Sequence, residues 1–136
     1  MIKPITHDTF FLSRKSEPAT AADLPIAKDL RDTLAAHRAE CVGMAANMIG
    51  SSKRIIIVSV GMFDMVMLNP VIVKKSGAFE TEEGCLSLSG TRRTTRYQTI
   101  TVEYRDGDWN KQTRVFTGRV AQIIQHEIDH TNGILI

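Results

Sequence analysis

The chain has 136 residues, 43% of them hydrophobic and 24% charged, with a formal net charge of +2. That length suits one domain with a core of its own, and that balance excludes a disordered or fibrous protein. The charge is too small to argue for DNA, RNA or an anionic membrane, and no run approaches the roughly 20 apolar residues of a membrane span.

The opening MIKPITHDTF lacks the apolar stretch of a secretory signal, so a cytoplasmic location is expected. In that reducing compartment Cys41 and Cys85 are expected as thiols, metal-binding, catalytic or buried, rather than as a disulfide. No linker, repeat or low-complexity tract divides the chain, and residues 1–136 are expected to form one unit.

Residues 12–20 read as a loop, after which Thr20 or Asp23 caps a helix starting near Leu24. Leu24, Ala27, Leu30 and Leu34 recur at helical spacing and carry that helix to about Glu40. CVGMAANMIG follows, with small residues that permit close backbone approach. RIIIVSV (54–60) is a β-branched strand, and MVMLN (65–69) pairs with it across GMFD as a hairpin. Pro70 ends or bends that second strand, before VIVKK. Ile100, Val102 and Tyr104 alternate with Thr101 and Glu103 as a half-buried strand. RDGDWNK is turn chemistry leading to the strand QTRVF. Gly118 then precedes the helix RVAQIIQHEIDH, which Gly133 terminates in the left-handed conformation. Helix, antiparallel strands, helix is the order of an α+β domain.

The chemistry is concentrated in QHEIDH (125–130). Residues four apart share a helix face, so His126 and His130 can direct two imidazoles at one ion. Glu127 lies about 100° round the helix and flanks the open side. H-E-x-x-H is the motif of zinc hydrolases, with the glutamate as general base; an amphipathic helix with two chance histidines is the plainer alternative. A catalytic site of this type needs a third protein ligand and an open fourth position. The metzincin pattern fails, because Ile136 stands where its last histidine belongs. A thermolysin-like site fails too, since TNGILI contains no acid. The candidate is therefore upstream, in EEGCLSLS, where Cys85 follows Gly84 and a thiolate suits zinc or ferrous iron. Taken alone, Cys85 is more often a small buried residue; its pairing with the helix motif reverses that preference.

EGCLS at 83–87 and QHEIDH at 125–130, in that order, resemble the peptide deformylase family, whose glycine-rich G-[V/I]-G-L-A-A-x-Q stretch is similar to CVGMAANM at 41–48. The resemblance covers nearly the whole chain. It implies a metal-dependent enzyme that removes the N-formyl group from the first methionine of new polypeptides and releases formate. It also implies Cys85, His126 and His130 as ligands of one divalent ion, ferrous iron natively with zinc or nickel as substitutes. Glu127 would be the catalytic acid and base, and the backbone N–H of Leu86 an oxyanion donor. The formyl-methionyl peptide would lie extended along Val42-Gly43 and Gly84–Leu86, with an apolar pocket for its side chain. Transient contact with the ribosome is a further expectation, and the implied fold wraps strands around a central helix that carries the histidines.

The chain departs from that pattern at Met48, which replaces the glutamine that closes the first motif. A thioether cannot donate a hydrogen bond, and losing an oxyanion donor typically costs about 10²–10³ in rate. Met48 therefore motivates a second reading, a deformylase-like paralogue with weak or altered activity, and a third, a metal- or peptide-binding protein without turnover. Intact Glu127 argues against the third, since a structural metal site needs no base. Asn47 precedes Met48 and is expected to point elsewhere. Cys41 replaces the motif's first glycine and is either a reshaped cavity wall or a ligand. Gly43 has a tight-turn reading beside its substrate reading. Met44 and Met48, four apart, are either core or pocket lining. Arg92 is either a peptide contact or part of a solvated loop.

Overall fold

The computed structural model describes all 136 residues. Three α-helices, α1 (Thr9–Leu12), α2 (Leu24–Ala36) and α3 (Gly118–Thr131), accompany five strands. The strands are β1 (Gly43–Ala45), β2 (Ile55–Ser59), β3 (Asp64–Cys85), β4 (Leu88–Arg105) and β5 (Lys111–Thr117). They form one antiparallel sheet in chain order, β1-β2-β3-β4-β5, so the fold is α+β as the sequence indicates.

The run Ile55–Val58 shows why this sheet has two dry faces. Successive strand residues point to opposite sides. Ile55 and Ile57 join Leu30 and Leu34 of α2 in one core, while Ile56 and Val58 join Ala121, Ile124 and Ile128 of α3 in another. The next strand divides the same way, with Val66 and Leu68 toward α2 and Met65 and Met67 toward α3. A central strand buried on both sides reads as a continuous apolar run. Helix α3 is thus set against β1, β2, β4 and β5, with its histidine-bearing turn inside. No helix is long and apolar enough to cross a membrane.

Two sequence expectations shift, and one open alternative is resolved. Helix α2 begins as read, after a 3₁₀ turn at Ala21–Asp23 in which the Thr20 N–H donates to the Asp23 carboxylate, 2.8 Å. It stops at Ala36 rather than near Glu40, because its apolar stripe ends at Leu34 and nothing beyond holds another turn against the core. Pro70 bends β3 without ending it. Asn69 takes a left-handed φ of 54°, the register shifts between Leu68 and Val71, and this bulge excuses proline from donating to the ladder. The Asn69 amide also fixes the bend, exchanging two hydrogen bonds with the backbone of Ala19. Finally, β3 and β4 extend through 76–99 as a long hairpin whose outer part is mostly exposed. The inward face of this hairpin carries polar side chains, Thr81, Glu83, Thr94 and Arg96, so the apolar alternation that marks a strand in sequence is missing.

Candidate metal centre

Helix α3 sets out its functional face from Gly118, at φ 62°, to Gly133, at φ 76°. Gly133 is a left-handed terminator as expected, and it is also wedged: a Cβ there would lie 2.4 Å from the carbonyl oxygen of Ser13. Within the helix, His126 and His130 turn their Nε2 atoms toward each other, 3.1 Å apart. Cys85, the last residue of β3, brings its sulfur to the same place, and the three donor atoms lie within 4.8 Å of one another. Tetrahedral bonds of about 2.0–2.3 Å would separate ligand atoms by roughly 3.5 Å, so the triad fits one ion. Cys41 stands outside this group. Burial pushes its thiol up to about 11, and its Sγ donates to the Gly43 carbonyl, 3.1 Å. A protonated thiol so engaged is a wall, not a ligand.

Beneath His126 lies a charged network that the sequence reading did not find. Glu83, 9% exposed, accepts hydrogen bonds from Arg96, from Gln122 and from Nδ1 of His126, the last at 2.8 Å. Arg96, 3% exposed, also donates to Asp129, 2.6 Å. Burial works against the Glu83 charge, but the hydrogen bonds from His126, Arg96 and Gln122 outweigh it and hold the carboxyl at about 2. Burial likewise opposes the charged form of His126, yet Cys85 and the Glu83 carboxylate raise it to about 10. A carboxylate on Nδ1 leaves Nε2 as the metal-facing nitrogen, the usual carboxylate–histidine–metal arrangement. One signal was available: Glu83 and Cys85 are two apart on a strand and share a face. Arg96 had none, being an arginine in a polar run.

Glu127 is treated differently. Its Oε1 is buried without a hydrogen-bond partner, and burial pushes its carboxyl up to about 7. The reason is close packing against β1. A Cβ on Gly43 would come within 2.7 Å of Ile123 and 2.9 Å of a Glu127 carboxylate oxygen. Gly43 is therefore required for close approach within an extended strand and not for a turn. Gly84 is under no such pressure, since a Cβ there would meet its nearest neighbour at an ordinary 3.5 Å.

A cavity of about 690 Å³ opens above this group. Val42, Gly43, Met48, Gly84, Cys85, Leu86, His126 and Glu127 all line it, as do Arg38, Gln122 and Arg119, which the sequence reading passed over. His130 is fully buried behind the wall. Leu86 sits in the two-residue turn joining β3 to β4. Met44 and Met48 both belong to the α2-side core, but only Met48, 1% exposed, also lines the cavity, its sulfur accepting from the Ala45 N–H at 3.5 Å. Asn47 points away, donating to the His130 carbonyl at 2.8 Å. Arg92 is half-buried and contacts the carbonyl of Ser89 rather than the cavity.

An imidazole, a thiol and an adjacent uncommitted carboxylate at the floor of a cavity, with a second imidazole directly behind them, define a metallohydrolase-type site. The polypeptide deformylase family model matches residues 2–136. A peptide deformylase of Clostridium beijerinckii is 56% identical over 136 residues, covering all of both chains. The structure also superposes on a Met-Ala-Ser-bound class I type b peptide deformylase of Acinetobacter baumannii. There the TM-score is 0.89 and the identity 31%, over 99% of this chain and 97% of that one. The crystal structure of peptide deformylase from Thermus thermophilus gives a TM-score of 0.87 at 35% identity, over 99% and 84% of the two chains. The chain belongs to the peptide deformylase family, which is metal-dependent.

Proposed function

We propose that residues 1–136 act as one catalytic unit that hydrolyses the N-formyl group of nascent polypeptides beginning with formyl-methionine. The observation that carries this reading is the triad of Cys85, His126 and His130, within 4.8 Å, with the unpartnered Glu127 oxygen beside it. An ion held by that triad supplies a water whose pKa falls from 15.7 toward about 7 and a positive charge for the formyl oxygen. Ferrous iron is the native ion in this reading, with zinc or nickel as replacements, since thiolate and imidazole suit all three.

Glu127 accepts the proton of the attacking water and later delivers it to the leaving amine nitrogen. The water oxygen forms a bond to the formyl carbon, the C–N bond breaks, and formate and a free amino terminus leave. The Leu86 N–H donates to the oxygen that gains charge. The peptide lies as an added strand along the open edge of β1 at Val42-Gly43 and against Gly84–Leu86. Its methionine side chain enters the cavity between Met48, Ile123 and Leu86. A cytoplasmic location and brief contact with the ribosome accord with such a substrate, and DNA has no part in it.

Full-length likeness to peptide deformylases does not favour the weak paralogue or non-catalytic readings that Met48 motivates. The test is formate release from formyl-Met-Ala-Ser by freshly iron-loaded protein. Turnover is expected to disappear on chelation and to return with the ion. Absence of turnover from a fully loaded chain overturns the reading.

A further inference from the structure

Asn47 belongs to the CVGMAANM segment but turns its back on the cavity, which takes Met48 instead. Its side chain is 2% exposed, and Nδ2 donates to the backbone carbonyl of His130. Two buried polar atoms nearby are left over. Asn47 Oδ1 has no hydrogen-bond partner, and neither has Nδ1 of the fully buried His130. Protein interiors rarely leave such groups unpaired. Here the unpaired acceptor belongs to the side chain that already grips the residue carrying the unpaired ring nitrogen.

The chemistry of the ring decides which way the pair works. His130 turns Nε2 toward Nε2 of His126 and so toward the metal position. A histidine that offers Nε2 to a metal carries its proton on Nδ1, and that N–H needs an acceptor to fix the tautomer and the ring's orientation. His126 has Glu83 for this purpose. Nothing charged does the same for His130, whose Nδ1 has no hydrogen-bond partner.

We propose that Asn47 is the positioning residue for the second imidazole ligand. Its amide N–H holds the His130 carbonyl, and its carbonyl oxygen accepts the Nδ1 proton, directly or through one buried water. An amide does this without placing a second buried anion beside Glu83 and Glu127. The proposal rests on the metal reading of the triad, and its test separates the two.

Cobalt and zinc affinities would be measured by competition with a chromophoric chelator, for the natural chain, Asn47→Leu and Asn47→Asp. Loss of a residue supporting a ligand typically costs about 10–100-fold in metal affinity, and that is expected for Asn47→Leu, with a shift in the visible bands of bound cobalt. Asn47→Asp keeps the acceptor but loses the donor to the His130 carbonyl and adds a buried anion, so its affinity is expected to fall between those of Asn47→Leu and the natural chain. Should the natural chain bind neither ion, the metal reading itself fails. Should it bind while folded Asn47→Leu binds within twofold and shows the same cobalt spectrum, only the Asn47 proposal fails, even if the melting temperature has dropped. Where Asn47→Leu does not fold, an atomic-resolution structure of the zinc-loaded natural chain decides. Nδ1 of His130 linked to Asn47 Oδ1, directly or by one water, supports the proposal; Nδ1 bound to the metal or donating elsewhere overturns it.

Discussion

Two carboxylates approach the same histidine-bearing turn, and the protein gives them opposite surroundings. Around Glu83 every neighbour is a donor, namely Arg96, Gln122 and His126, and the acid is held at about 2. Glu127 instead packs close to the bare Cα of Gly43, one of its oxygens has no hydrogen-bond partner, and burial raises the acid to about 7 although the charge of His126 opposes this. The difference teaches that environment, not residue type, divides the labour. A carboxylate saturated with hydrogen bonds is a fixed support. One left unsatisfied near neutral pKa is free to exchange a proton with a reactant.

The sharpest way to break this contrast is Glu127→Gln. Activity is expected to fall by about 10²–10⁴, the usual worth of general acid–base catalysis, while metal content measured by plasma emission stays unchanged. A variant within tenfold of the natural rate would remove Glu127 from the chemistry. Next comes the cavity wall beside it. Met48→Gln restores a donor, and a rise of up to about 10²–10³ in kcat is expected, measured as formate release. An unchanged rate would show that the thioether costs nothing there.

On the supporting side, Arg96→Met leaves Glu83 and Asp129 without their cation. Breaking a buried pair from one side typically costs about 3–5 kcal/mol, which a urea titration of the folded chain would read directly. Little change would mean that Glu83 is held by other groups. The smallest effect is a pH contrast in metal-stripped protein. Glu83 has its folded pKa lowered, so its contribution is present above its ordinary 4.5 and is lost as pH falls toward about 2. Glu127 has its folded pKa raised, so its contribution is present below 4.5 and is lost as pH rises through about 7. Denaturation of Glu83→Gln and Glu127→Gln between pH 3 and 8 should therefore show pH trends of opposite sign relative to the natural chain. Trends of the same sign would dissolve the distinction between the two acids.

Much of this arrangement was legible in the residues. Helical spacing exposed the His126, Glu127 and His130 face, and the β-branched run at Ile55–Val58 exposed the central strand, because both depend on local periodicity. Cys85 became readable only through its pairing with the helix motif. What stayed hidden depends on contacts across the fold. Arg96 reaches Glu83 and Asp129 from a different strand, and the outer β3–β4 hairpin buries polar residues such as these on its inner face, so it carries no apolar rhythm. Asn47 was read correctly as facing away from the cavity, but its destination on the His130 carbonyl lies 83 positions along the chain, beyond any local pattern.

The sulfur ligand is mounted very differently from the imidazoles. The histidines ride on a helix clamped in the interior, whereas Cys85 ends a long ribbon whose middle is solvated and whose two-residue turn packs back on the core through Cys85, Leu86 and Leu88. That turn is tethered to the amino-terminal arm by His7 Nδ1 at 3.0 Å from the Ser87 carbonyl. Elements held by few contacts open locally at less cost than a helix buried in the core, so release of this packed tip, with the rest of the molecule still folded, is the expected route by which the ion leaves. Trimming the arm through His7 would then shorten the ion's residence time more than it lowers the melting point.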